Sequence, residues 1–181
     1  GHILRCYAIA QKYQDLGHNV QIYLEQSTDI IDKIIPNEIY TIVPWEMKFD
    51  AIKHSRNERP IVFIDSYEAP QSFYENIAQT VPLSVYIDDF KRIKYPPGII
   101  LNWQIYAENI NYSMDDSHIG LLGPKYSVLR KEFQNPKPKE IKTKISQVLI
   151  MIGGTDIRNL TPGIINILQK RYPRWNKRII I

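Results

Sequence analysis

Short apolar runs alternate with amphipathic runs along most of this 181-residue chain, and this alternation limits its fold more than any other feature. Several of the apolar runs are continuously apolar and rich in β-branched residues, as parallel strands buried on both faces are. The predicted strands are Val20–Leu24, Ile39–Val43, Ile61–Asp65, Ser84–Asp88, Gly98–Asn102, Ile119–Leu122, Gln147–Ile152 and Arg178–Ile181. Strands that alternate with helices predict an α/β fold, a parallel sheet of the Rossmann type with helices on both faces.

Amphipathic periodicity predicts five helices between these strands. The first, His2–Leu16, begins the sequence with no strand before it, and Gly17 can end it. The others are Thr28–Ile35, Glu46–Arg56, Gln71–Gln79 and Thr161–Tyr172. Thr161 is a favourable N-cap for the last helix, and Pro162 suits its first helical position.

A polar segment, residues 134–145, divides the pattern. Its stretch from Gln134 to Lys144 carries two prolines and four lysines and has neither helical nor strand periodicity, which is typical of a linker and also compatible with a long surface loop. We therefore expect an N-terminal domain over residues 1–133. Residues 146–181 form one further strand–helix–strand unit, which either extends the first sheet or begins a second, nucleotide-binding domain of the same type.

Composition excludes several classes of protein. The net charge is +4 and the basic residues are dispersed, so nucleic acid is not an expected partner. The single cysteine, Cys6, cannot form an intrachain disulfide, and a reducing, cytoplasmic compartment fits. No apolar run approaches the roughly 18 residues of a membrane span, so we expect no membrane insertion.

His2 is the first candidate catalytic residue. It lies in the first turn of the first predicted helix, beside free backbone N–H groups and the positive end of the helix dipole. This setting keeps an imidazole neutral, as a base must be. For an isolated histidine, an ordinary surface residue at a helix start is the more common alternative.

A second candidate site lies between the strand that ends near Ile152 and the helix that begins near Thr161. Gly153, Gly154 and Thr155 follow the strand, and Asn159 precedes the helix. Paired glycines allow a phosphate to approach the backbone, and the helix start supplies N–H donors. The pattern matches neither the dinucleotide fingerprint nor the P-loop, and a tight strand–helix turn is an equal alternative.

Carboxylates follow two of the predicted strands. Asp65 is followed two residues later by Tyr67, and Asp88 is followed directly by Asp89. The carboxyl ends of parallel strands are where open α/β sheets bind ligands, so these groups could contact sugar hydroxyls or orient a base. Capping of the loops is at least as common a role. No His, Cys or Glu cluster joins them in the sequence to suggest a metal.

Taken in order, these segments resemble one family. The sequence reads Gly-His-x-x-Arg, Asp-x-Tyr, Ile-Asp-Asp, Leu-Leu-Gly-Pro-Lys-Tyr-x-x-Leu-Arg-x-Glu-Phe and Gly-Gly-Thr-Asp-x-x-Asn-Leu-Thr. It resembles the UDP-sugar hydrolases of pseudaminic acid biosynthesis and the related spore-coat polysaccharide biosynthesis proteins. The Gly-Pro-Lys-Tyr segment and the Gly-Gly-Thr-Asp turn are the most specific parts.

The resemblance implies a GT-B architecture of two Rossmann-like domains and inverting hydrolysis of a UDP-linked 2,4-diacetamido-trideoxyhexose, with no metal and no cofactor. It implies that His2 is the general base, that Tyr67 lies in the sugar pocket, and that the diphosphate binds at Gly153, Gly154 and Thr155. We assign the remaining candidates to substrate binding (Arg5, Asp65, Asp88 and Asn102) and to diphosphate binding (Asn159).

The sequence lacks two features that the family resemblance leads us to expect, and two alternative functions stay open. The strand and glycine-rich turn expected before Gly1 are not in the sequence, nor is the uridine-binding part expected after Ile181. As given, the chain is therefore expected neither to bind UDP tightly nor to turn over substrate. The alternatives are a glycosyltransferase on the same fold, and a non-catalytic sugar-nucleotide-binding protein.

Overall fold

The computed structural model describes residues 2–26, 31–44, 47–48, 50, 52, 59–152 and 156–180. The chain divides into two compact units, Gly1–Pro136 and Lys137–Ile181. Within the described ranges, no helix is both long and apolar enough to cross a membrane.

The first unit alternates strands and helices in chain order. Its elements are α1 (His2–Asp15), β1 (Ile22–Leu24), α2 (Ile31–Ile34), β2 (Tyr40–Ile42), β3 (Ile61–Ile64), α3 (Gln71–Thr80), β4 (Leu83–Ile87), β5 (Gly98–Asn102) and β6 (His118–Leu122). Short 3₁₀ turns lie at Asn37–Ile39, Ala107–Asn109, Pro124–Tyr126 and Lys131–Phe133.

Every strand pair in this unit is parallel. One sheet has the order β3-β4-β5-β6, and β1 pairs with β2 in a separate two-stranded sheet. In the larger sheet, Ile61 lies opposite Leu83 and Gly98 lies opposite His118. The continuously apolar runs of the sequence form these strands because both faces of a parallel sheet must be covered.

The four-stranded sheet is covered by helices on both faces. On one face, α3 buries Phe73, Tyr74 and Ile77 against Ile64, Tyr86 and Ile100 of the strands. On the other face, Ile9 of α1 packs with side chains that alternate with these, namely Phe63, Val85, Ile87, Ile99 and Leu101. This period of two confirms the predicted Rossmann-like α/β fold.

The second unit is one strand–helix–strand motif. It contains β7 (Gln147–Met151), α4 (Thr161–Arg171) and β8 (Asn176–Ile180), and the two strands are parallel, with Gln147 opposite Asn176. The start of α4 differs from the prediction, because the carboxylate of Asp156, and not Thr161, caps it. Asp156 accepts the backbone N–H groups of Leu160 and Thr161 at 2.9 and 2.8 Å, and these bonds lower its pKa.

All eight predicted strands are present, with ends that differ by at most two residues. The two-residue shifts are at the starts of β1 and β8, and β8 begins at Asn176 because it pairs along the whole of β7. The first, fourth and fifth predicted helices are also confirmed, as α1, α3 and α4. Parts of the predicted helices Thr28–Ile35 and Glu46–Arg56 lie outside the described residues.

Candidate functional site

A polar cluster lies where the amino end of α1 meets the carboxyl ends of β3 and β4. Asp65 directly follows β3, Asp89 lies two residues after β4, and His2 and Arg5 occupy the first turns of α1. Helical residues three apart share a face, so His2 and Arg5 point to the same side. The structure thus brings together four groups that are up to 87 residues apart in sequence, at the edge where such sheets bind ligands.

His2 is held by a buried carboxylate. Its Nδ1 lies 2.6 Å from Oδ1 of Asp65, whose side chain is 1% exposed, while the His2 side chain is 38% exposed. When Nδ1 carries the proton and donates it to Asp65, Nε2 keeps a free lone pair. A carboxylate that orients an imidazole in this way makes Nε2 an acceptor for a proton.

Arg5 joins this pair to a second carboxylate. Its Nε donates to Oδ2 of Asp65 at 2.5 Å, its Nη2 contacts Oδ1 of Asp65, and its Nη1 donates to Oδ2 of Asp89 at 3.0 Å. Burial lowers the pKa of Arg5, but its bonds to the two carboxylates outweigh burial and raise its pKa overall. The guanidinium is therefore a fixed cation that sets the spacing of Asp65 and Asp89.

Asp89 connects several side chains of the cluster. The sequence analysis did not assign it to the site. Besides Arg5, it accepts the Tyr67 hydroxyl and Nε2 of Gln104 at 3.1 Å. Burial raises the pKa of Asp89, but the bonds from Tyr67, Gln104 and Arg5 lower it overall. The Asp-Asp pair was visible in the sequence, whereas nothing there distinguished Gln104 from other loop residues.

Aromatic rings form the rim of the cluster. The Tyr67 ring lies edge-on to the His2 ring at 4.4 Å and 5.4 Å from the Phe90 ring. Tyr67 and Phe90 are 47% and 54% exposed. Cζ of Arg5 lies 5.3 Å from the ring centre of Trp103, a second aromatic residue that the sequence did not single out. The rim offers apolar faces beside polar groups, as small-molecule binding sites do.

Asp88 and Asn102 lie beneath this cluster in a buried network. Asp88 is 3% exposed and accepts the hydroxyls of Tyr95 and Tyr112 at 2.6 and 2.5 Å, and Asn102 is fully buried and donates to the Tyr112 hydroxyl at 2.8 Å. The side chain of Asn102 also accepts the backbone N–H of Gln104. These bonds brace the loops that carry Asp89 and Gln104. Substrate contact by Asp88 and Asn102 stays a prediction.

Cys6 adjoins the cluster as a thiol. Its Sγ lies 3.5 Å from Oδ2 of Asp65, and burial, together with the negative charge of Asp65, raises its pKa. A thiol in this environment is a poor nucleophile because little of it is ionised. Among the residues that the structure describes, no group of three or more His, Cys, Asp or Glu side chains is placed to hold a metal ion.

The candidates of the second unit are described only in part. Gly153, Gly154 and Thr155 lie outside the described residues. Asn159 has a left-handed backbone, with φ of 50°, and its N–H donates to the carbonyl of Asp156. It therefore belongs to the turn that leads into α4, and its contact with a diphosphate stays a prediction.

Comparison with known proteins relates the chain to a sugar-nucleotide enzyme. No protein-family model matches it. It is 28% identical over 179 residues to the UDP-2,4-diacetamido-2,4,6-trideoxy-beta-L-altropyranose hydrolase of Campylobacter jejuni, covering 94% of this chain and 61% of that protein. It is 24% identical over 191 residues to an uncharacterized protein of Methanocaldococcus jannaschii, covering all of this chain and 39% of that protein. The chain thus spans less than two thirds of the length of either relative.

Proposed function

We propose that this chain is the base-carrying part of a UDP-sugar hydrolase that cleaves the anomeric C–O bond of a UDP-linked amino deoxysugar, with water as the nucleophile and inversion at the anomeric carbon. One observation carries the proposal: His2 is paired through Nδ1 with the buried carboxylate of Asp65, at the edge of the sheet where such folds bind ligands. The similarity to the Campylobacter jejuni hydrolase supports the same reaction.

His2 is suited to remove a proton from water. In the tautomer whose Nδ1–H donates to Asp65, the Nε2 lone pair is the basic position, and the exposed part of the ring can reach solvent. As the water oxygen forms its bond to the anomeric carbon, its proton passes to Nε2. Asp65 then stabilises the imidazolium, which returns its proton to solvent after the product leaves.

The surroundings of His2 suit a sugar better than a phosphate. Asp65 and Asp89 place two negative charges near His2, and Arg5 is already engaged with both. A diphosphate would be repelled here, whereas hydroxyl and amide N–H groups of a sugar find acceptors. Tyr67 and Phe90 supply apolar surface for methyl groups of a deoxysugar.

Departure of UDP completes the reaction. The bond between the anomeric carbon and the β-phosphate oxygen breaks, and its electron pair stays on UDP, a good leaving group that needs hydrogen-bond donors and no acid. We assign this role to Gly153 and Gly154 together with the start of α4, because backbone N–H groups at a helix start bind phosphate. The proposal includes a GT-B arrangement of the two units and a cytoplasmic setting.

The test uses the whole polypeptide that the gene encodes and UDP-2,4-diacetamido-2,4,6-trideoxy-altropyranose, without any acceptor. Release of UDP is followed for the unaltered protein, for His2→Ala and for His18→Ala, an exposed histidine in the same unit. Loss of the base is expected to lower kcat by roughly 10²–10⁴-fold with KM little changed. The His18 variant should keep full activity.

Each alternative has its own outcome in this assay. Release of UDP only after an acceptor sugar is added would assign the chain to the glycosyltransferases. Binding of the UDP-sugar without turnover, in the presence or absence of an acceptor, would indicate a non-catalytic binding protein. Equal activity of the His2→Ala variant and the unaltered protein would show that His2 is not the base.

A further inference from the structure

The acceptor positions of Asp65 are taken by donors of the protein itself. A carboxylate offers about four lone-pair positions, two on each oxygen. Oδ1 of Asp65 faces Nδ1 of His2 and Nη2 of Arg5. Oδ2 accepts Nε of Arg5 and lies 3.5 Å from the thiol of Cys6, a weak donor. This buried carboxylate therefore orients its neighbours.

The acceptor positions of Asp89 are taken in the same way. Its Oδ1 accepts Nη1 of Arg5 and Nε2 of Gln104, both at 3.1 Å. Its Oδ2 accepts Nη1 of Arg5 at 3.0 Å and also accepts the hydroxyl of Tyr67. Both carboxylates are thus internal anchors, and a ligand that approaches the cluster meets the neutral side chains around them.

Gln104 presents a free neutral acceptor beside Asp89. Carboxylate oxygens accept and do not donate, so the side-chain amide of Gln104 turns Nε2 towards Asp89 and its carbonyl oxygen, Oε1, away. Among the residues that the structure describes, none donates to this Oε1. The one buried side-chain N or O atom without a partner in the described ranges is Nε of Arg92, so Oε1 of Gln104 is open to solvent.

The orientation of this acceptor is fixed from two sides. The backbone N–H of Gln104 donates to the side-chain oxygen of Asn102 at 2.9 Å, and its carbonyl accepts the N–H of Ala107 at 3.0 Å. The side-chain amide is held by Asp89, which is held in turn by Arg5. An acceptor that is fixed before binding loses little side-chain entropy when a donor reaches it, so it can distinguish between ligands.

Apolar surface lies beside the same carboxylate. The hydroxyl of Tyr67 bonds to Asp89, and the Tyr67 ring lies 5.4 Å from the ring of Phe90. Both rings are about half exposed. An acetamido group joins an N–H donor to an apolar methyl group, so it fits an acceptor next to apolar rings. A hydroxyl group lacks the methyl, and an ammonium group would find both carboxylates already paired.

We propose that Gln104 is a specificity-determining residue whose Oε1 accepts the N–H of one acetamido substituent of the sugar. This inference rests on the proposed function, because it takes the UDP-linked diacetamido sugar as the ligand. It adds the residue that distinguishes an acetamido group from a group of the same size without a donor. A ligand without that donor would cover Oε1 and leave it unpaired, which weakens binding.

The experiment compares three UDP-sugars with the whole polypeptide that the gene encodes. One is the 2,4-diacetamido sugar, and in the two analogues an acetoxy group replaces the 2- or the 4-acetamido group, which keeps the shape and removes the N–H. kcat/KM for UDP release is measured for the unaltered protein, for Gln104→Met and for Gln79→Met, an exposed glutamine of α3. Affinities are measured by calorimetry with His2→Ala, which lacks the proposed base.

The unaltered protein and Gln79→Met should use one of the two analogues roughly 10–100-fold less well than the diacetamido sugar. In Gln104→Met this preference should disappear, because the diacetamido sugar loses its acceptor. Each preference is a ratio measured on one protein, so a change in the folded fraction cancels. Gln104→Leu repeats the comparison with a second apolar side chain.

The outcomes separate this inference from the proposed function. A preference that persists in both Gln104 variants, or an unaltered protein that accepts both analogues equally well, would overturn the role of Gln104 even where UDP is released. The expected preference in the affinities without any release of UDP would support Gln104 and reject hydrolysis. Failure to bind any of the three UDP-sugars would reject both.

Discussion

At the scale of single residues, two adjacent carboxylates have different surroundings. The strand β4 ends at Ile87, and successive side chains after a strand leave on opposite sides of the backbone. Asp88 consequently turns into the buried network of Tyr95 and Tyr112, whereas Asp89 turns towards Arg5 and Tyr67. The sequence shows both carboxylates, but only contacts with distant residues distinguish the one that joins the site.

Asp89→Asn should destabilise the first unit. The amide keeps an acceptor but loses the charge that pairs with Arg5, so we expect the free energy of unfolding to fall by about 1–3 kcal/mol. Urea denaturation followed by circular dichroism measures this change. Asp116→Asn, at an exposed position, is the matched control and should shift the free energy by less than about 0.5 kcal/mol. Equal losses of unfolding free energy in the two variants would show that the pairing of Asp89 with Arg5 does not stabilise the unit.

The difference in free energy of unfolding between the unaltered protein and Asp89→Asn should depend on pH. The pKa of Asp89 is lower in the folded state than its ordinary value of 3.8, so its ionisation stabilises the fold above that value. This contribution is lost as pH falls below the ordinary value towards the folded pKa. The stability difference between the unaltered protein and Asp89→Asn should therefore be constant from about pH 7 to about pH 5 and shrink near pH 3.5. A difference that grows on acidification would show that the carboxylate is not stabilised by folding.

At the scale of elements, the strands follow from the pattern of the sequence, and one glycine allows them to meet. Gly98 opens β5 with φ of 148°, in the region that favours glycine. A Cβ atom there would lie 2.8 Å from the carbonyl oxygen of Ser84 and 2.9 Å from Cε2 of Tyr86. The close approach of β4 and β5 therefore depends on the absence of a side chain at this position.

Gly98→Ala should lower the free energy of unfolding by about 1–3 kcal/mol, because it combines backbone strain with a clash against the neighbouring strand. Gly163→Ala is the control, since no atom lies within 4 Å of a Cβ built there and the residue is helical. The control should be neutral or stabilising by up to about 1 kcal/mol. Urea midpoints of the two variants give the comparison, and a tolerated alanine at Gly98 would show that β4 and β5 can move apart without cost.

At the scale of the whole molecule, the boundary between the two units lies in the polar segment of the sequence. Residues 131–147 are all exposed, and the units separate between Pro136 and Lys137. This segment is polar because its side chains face water, and a segment without a buried face has no hydrophobic periodicity.

Trypsin should make its first cuts in this segment, because an exposed loop fits a protease and a packed helix or strand does not. We expect cleavage after Lys139, Lys142 and Lys144, and not after Lys137, which precedes a proline. Mass spectrometry of a short digest identifies the fragments. Replacement of these three lysines by glutamine should abolish the early products, and early cuts within α1 or α3 would contradict the division into units.

Local sequence was sufficient to predict most of the strands and helices. Periodicity and β-branched runs depend on neighbouring residues, and they predicted all eight strands and the helices α1, α3 and α4. The exceptions lie at element ends, such as the start of α4, where the carboxylate of Asp156 reaches four residues forward to the backbone. Such a bond depends on the course of the turn, which propensity alone does not specify.

The candidate site could not be predicted from local sequence, because it depends on contacts between distant segments. The resemblance of the motifs pointed to His2, but its pairing with Asp65 requires α1 to lie across the end of β3, 63 residues further along the chain. The role of Asp89 and the burial of Asn102 likewise depend on the order of strands. Hydrophobic pattern specifies which side of a strand is buried, whereas the packing of whole layers specifies which polar groups meet at its end.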